Sequence, residues 1–147
     1  MSSKPDNLKN LASETVGLSY LKSLDTSLIT PSLDQKKLLL KLVDLPNIYS
    51  RSFDLVKLKV NSFDQVKTKN DFSLVEVKVT SKFLENFPKG FFFGFTQNED
   101  NLLRDLDGLF VLCLVSINSI KSSHVYLSHS ELHSIIKNKR IQYQINL

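Results

Sequence analysis

The sequence predicts an α/β fold, a mixed sheet with helices packed on it, and three observations carry that prediction. Apolar residues recur at helical spacing as far as Val43, the period changes to two from Phe53, and the run "LFVLCLVSI" at 109–117 is apolar on both faces. At 147 residues, with 41% hydrophobic and 23% charged residues, residues 1–147 are expected to form one domain with its own core.

The elements follow in order. Leu8, Leu11, Thr15 and Leu18 share one face of a helix that opens after Pro5 and runs to about Leu24. "DTSLITP" at 25–31 breaks it. Ser32 and Gln35 then stand in capping-box relation at the head of a leucine-rich second helix, which Asp44 to Pro46 should end. "FDLVKLKV" at 53–60, "FDQVKTK" at 63–69 and "SLVEVKVT" at 73–80 alternate, with turns at Asn61-Ser62 and Asn70-Asp71, and predict three sequential antiparallel strands. After "FFFGF" at 91–95, Thr96 and Glu99 form a second capping box for a helix over 97–106. The apolar run at 109–117 is the expected central strand, and a strand-helix-strand tail follows in "HVYLS", "SELHSIIKNK" and "IQYQINL".

Composition excludes some classes. The longest apolar run has nine residues where a membrane-spanning helix needs about twenty, so no membrane partner is expected. "MSSKPDNLKN" has no apolar stretch after its first lysine, which predicts no secretory signal and a cytoplasmic protein. Cys113, the one cysteine, lies inside the apolar run and is expected in the core, with no internal disulfide. A net charge of +4 suits a protein that meets polyanions; of the 19 basic residues only Arg51, Arg104 and Arg140 are arginines, which favours phosphate contacts over bidentate reading of guanine.

The chemistry concentrates in the expected hairpin. Glu76 and Lys78 are two apart on a strand and share a face, while Val75, Val77 and Val79 take the other. Asp64, on the expected partner strand, would approach that face. Two carboxylates meeting at one point repel unless a cation lies between them, and an all-oxygen pair suits Mg2+, with Mn2+ as a substitute. A lysine beside them would orient the attacking water or stabilise charge on a phosphate.

Asp64, eleven intervening residues and then Glu76-Val77-Lys78 resemble the motif of the PD-(D/E)XK phosphodiesterases, the restriction-endonuclease-like nucleases. The resemblance implies a restriction-endonuclease-like core of helix, three antiparallel strands, helix and strand, extended here by the strand-helix-strand tail. It implies Mg2+-dependent hydrolysis of DNA phosphodiesters, as an endonuclease of restriction, homing or repair type. Asp64 and Glu76 would be metal ligands and Lys78 the catalytic lysine. Glu14, about 60° from the centre of the first helix's apolar stripe, would supply the additional acid many members carry there. Residue 63, where the pattern's proline would stand, is Phe63. Asp54, twenty-two positions before Glu76 and also ahead of a valine-bearing strand, is the reserve for Asp64. A second acid-x-lysine triplet, Asp34-Gln35-Lys36, opens a helix and has no partner strand.

Cutting both strands of a duplex would take a homodimer or higher homo-oligomer, because one such site cuts one strand. Thr80, Lys82 and Gln97, and in the tail Lys137, Lys139 and Arg140, are candidate contacts to double-stranded DNA. "FFFGF" could stack unpaired bases but is expected in the core. His129 and His133 are four apart on a helix, with no third ligand evident in the sequence. The alternative reading is a non-catalytic nucleic-acid-binding or assembly protein with the same fold.

Overall fold

The structure, a computed structural model, describes residues 4–143 and 145–147, with side chains from Ser13 onward. Residues 1–3, the side chains of the expected stripe residues Leu8 and Leu11, and Gln144 of the expected last strand lie outside the described residues. The chain order is α1 (Lys4–Leu24), β1 (Leu28–Ile29), α2 (Leu33–Leu42), β2 (Leu55–Leu58), β3 (Phe72–Thr80), α3 (Gln97–Asp105), β4 (Phe110–Ser116), β5 (Ser123–Leu127) and α4 (His129–Ile135). The strands form one sheet in the order β1-β2-β3-β4-β5, with β3 and β4 parallel and every other neighbour antiparallel. A parallel pair needs a crossover, and the segment carrying α3 supplies it.

Alternation along β3 sends its side chains into two cores. Val75 and Val77 join Leu21 of α1, Leu28, Leu55, Cys113 and Val115 on one face. Phe72 and Leu74 join Leu39 and Leu40 of α2, Leu102 and Leu103 of α3, and Leu112 and Leu114 on the other. Each fully buried Leu or Val contributes about 1.5–3 kcal/mol relative to exposure, so β3 and β4, covered on both faces, anchor the sheet. The expected central strand and the core position of Cys113 are both found, and burial pushes the Cys113 thiol up to about 12.

The helices start where side chains satisfy their free N–H groups. Ser32 with Gln35, Thr96 with Glu99 and Ser128 with Glu131 each form a complete capping box. Gly17 lets α1 lie close on β3, since a Cβ there would overlap the side chain of Val79.

Three expectations need correction. "FDQVKTK" is not a strand: residues 63–65 and 69–71 are short 3-10 turns. Its polar side chains bond locally instead of leaving the backbone free for a ladder. Gln65 Oε1 accepts from the Asn61 N–H, Asp71 Oδ2 accepts from the N–H groups of Lys67 and Thr68, and Thr68 Oγ1 accepts from the Asn70 N–H. Three sequential antiparallel strands exist all the same, but the short edge strand β1, from the segment read as a break, takes the lost strand's place. Finally, the described part of "IQYQINL" is irregular, and α4 ends at Ile135.

Candidate metal centre

β2 pairs with β3 only as far as Leu55 opposite Val75, while β3 runs on to Thr80. Where β2 has ended, side chains take over from backbone. The Val77 N–H donates to Asp54 Oδ2 at 2.9 Å and to Glu76 Oε1 at 3.1 Å. A carboxylate from β3 and one from the residue just before β2 therefore meet at one N–H where the pairing of β2 with β3 stops.

Lys78 lies two residues further along the same face. Its Nζ stands 3.3 and 3.2 Å from the two carboxylate oxygens of Glu99 on α3, and 5.9 Å from the centre of the Phe95 ring. Glu99 is itself fixed, because its Oε1 accepts from the Thr96 N–H at 2.8 Å within the capping box. The box that starts α3 thus also orients the lysine.

The electrostatics are those of a crowded acid cluster. Burial above all, then hydrogen bonding to Asp54 and Glu99 and their negative charge, pushes the Glu76 carboxyl up to about 12, so that it holds its proton through the neutral range. Glu99 moves the opposite way. Burial would raise it, but hydrogen bonds from Glu76, the Thr96 backbone and Lys78, with the charge of Lys78, hold it below the ordinary value. Glu14, on the shoulder of α1, is raised by burial and by the charge of Asp54, against the pull of Lys78. Charge thus links Glu14 to Asp54, Asp54 to Glu76 and Glu76 to Glu99, with Lys78 acting on Glu14 and Glu99.

Glu76 stays protonated first because it is buried and then because Asp54 and Glu99 lie beside it, and carboxylate oxygens of this kind are the donors a hard divalent cation takes. Asp54 and Glu76 are the pair able to share an ion.

Of the expected set the structure puts Glu76 and Lys78 on one strand and Glu14 within range of the Lys78 charge, while Asp64 joins none of these interactions. Asp64 is exposed in the 3-10 turn over Phe63–Gln65, on no strand, and Asp54 shares the Val77 N–H with Glu76 in its stead. Thr80 ends β3, and its Oγ1 accepts from the Lys82 N–H. Gln97 is exposed at the first turn of α3 and bonded to Asn101; Lys82, Lys137, Lys139 and Arg140 are exposed. Phe91, Phe93 and Phe95 pack against the core and on one another edge to face, while Phe92 is exposed. Glu99 was visible in the sequence only as a cap. The signal for its second role is that α3 follows the strand carrying Lys78, so the inward side of its first turn faces that lysine.

Comparison with known proteins finds no matching family model, no matching curated protein and no matching solved structure.

Proposed function

We propose that this chain is a Mg2+-dependent DNA endonuclease with a restriction-endonuclease-like core. The observation that carries the reading is the meeting of Asp54 and Glu76 on the Val77 N–H, with Lys78 alongside. Element order supports it as well: α1, the antiparallel strands β1, β2 and β3, then α3 and the parallel strand β4, follow the core implied by the resemblance, with α2 inserted after β1. Asp54-x21-Glu76-Val77-Lys78 then replaces the shorter spacing from Asp64.

Asp54 and Glu76 would hold the ion. Mg2+ bound there would supply a Lewis acid for the phosphate and lower the pKa of a bound water. Glu76 would have to give up its proton to hold an ion there, which would link metal uptake to proton release. Lys78 presents its ammonium to the scissile phosphate and to the attacking water, and Glu99 keeps it from swinging into solvent. Glu14, whose carboxyl is raised by burial and by the Asp54 charge, would accept a proton from that water or bind through water to the ion. One site cuts one strand, so a homodimer makes the double-strand cut.

The test is incubation of purified protein with supercoiled plasmid and with mixed genomic DNA, in Mg2+ and in Mn2+. The parent and Asp64→Asn should nick DNA, while Asp54→Asn, Glu76→Gln and Lys78→Ala should each lose at least about 100-fold in rate, roughly 3 kcal/mol of barrier. Equal loss in Asp64→Asn, or activity in Lys78→Ala, would refute the assignment.

A further inference from the structure

Outside the carboxylate cluster, α3 and α4 bring together a second set of ligating side chains of different chemistry. His129 and His133, one helical turn apart, face Asp100 of α3. Asp100 Oδ1 stands 3.1 Å from His133 Nε2 and 3.6 Å from His129 Nε2, and the three ligand atoms all lie within 4.8 Å of one another. The third ligand that the sequence alone did not reveal is the residue next to Glu99.

We propose that Asp100, His129 and His133 form a transition-metal site, taking Zn2+ by preference, that clasps α4 to α3. In a tetrahedral shell with bonds of about 2.0–2.1 Å, ligand atoms stand about 3.3 Å apart, and the two oxygen-to-nitrogen spacings bracket that value. Two imidazoles with one carboxylate suit a borderline ion, whereas the oxygen-only cluster where the β2–β3 pairing stops suits Mg2+. The three side chains are 21–35% exposed, which leaves an entry path and a fourth position for water. The bland account is a carboxylate accepting hydrogen bonds from two histidines. It needs only neutral imidazoles that donate their Nε2–H, so it differs from the ion site in metal uptake and not in geometry.

The clasp has mechanical sense. Leu132 is the buried residue of this seven-residue helix, so little apolar contact holds α4 in place. Because Asp100 follows Glu99 directly, an ion on the outer side of α3 would also steady the turn that orients Lys78.

The test uses the full chain carrying Asp54→Asn and Glu76→Gln, which removes the oxygen site and makes the result independent of the nuclease reading. Metal-stripped protein is titrated with Zn2+, with Co2+ as a spectroscopic probe, and melted with and without Zn2+. One equivalent of Zn2+ should bind, Co2+ should give the strong visible bands of a four-coordinate site, and the melting midpoint should rise. His133→Ala and Asp100→Asn should each weaken Zn2+ binding by about tenfold or more. His133 is a surface side chain, so His133→Ala should keep its circular dichroism, and it should lose the Zn2+-dependent rise in melting. Binding of no equivalent, or unchanged affinity in folded His133→Ala, would overturn the proposal and leave an Asp–His hydrogen-bond pair.

Discussion

Glu76 illustrates what a site of this kind does to a single side chain. Its carboxyl has an ordinary value of 4.5 in the unfolded chain and is pushed up to about 12 in the fold, first by burial and then by Asp54 and Glu99. A raised value means that the folded protein binds the extra proton, so this residue's contribution is fully present below pH 4.5 and is lost as the pH rises toward 12. Glu99, held low, acts in the other window: its contribution is present above 4.5 and fades as the pH falls further. In EDTA, the stability of the parent protein should therefore slope downward as the pH rises from 5 to 8. Glu76→Gln, which needs no proton, should flatten that slope and be the more stable protein at pH 8; chemical denaturation at both pH values reads this, and parallel profiles would contradict it. At this scale the sequence was half legible. Glu76 and Lys78 stand out because valines occupy the other face of their strand. Asp54 and Asp64 do not separate by eye, since each follows a phenylalanine and precedes an alternating run. What separates them is that Leu55, Val56 and Leu58 can fill both cores, while Gln65, Thr68 and Asp71 fold 61–71 onto itself.

Among the elements, α1 and β3 depend on one small residue. Gly17 sits where a methyl group would meet Val79, and that close approach carries Glu14, one turn earlier, to within reach of the charges of Asp54 and Lys78. Gly17→Ala gains about 1 kcal/mol of helix propensity, yet the overlap should cost about 1–3 kcal/mol, so the net effect is destabilising. Adding Val79→Ala opens the space, and the double variant should be more stable than the sum of the two single losses; a strictly additive pair would show that the contact is not what matters. The capping boxes of α2 and α3 were readable as sequence because their chemistry is local. β1 was not, since two residues of edge strand carry no period of their own and exist only through pairing with β2.

On the scale of the whole molecule, no helix among the described residues is long and apolar enough to cross a membrane, and the chain carries a net charge of +4. Lys137, Lys139 and Arg140 are exposed just beyond α4, and Ile141, Tyr143 and Ile145 keep an alternating pattern without a strand partner among the described residues. The alternation predicted a strand, but a strand needs an edge to pair with, and that need is invisible in the tail's own residues. If the tail holds the DNA backbone, neutralising its three cations should reduce the slope of log affinity against log salt by up to about 2.7, read by fluorescence anisotropy with a labelled duplex. An unchanged slope would move the DNA to another face. The central claim is that Asp54, and not Asp64, shares an ion with Glu76. Calorimetric titration with Mn2+ tests it most directly. Asp64→Asn should bind as the parent does, and Asp54→Asn and Glu76→Gln should lose about tenfold or more in affinity. A full-strength Mn2+ site in Asp54→Asn, or its loss in Asp64→Asn, would contradict the account.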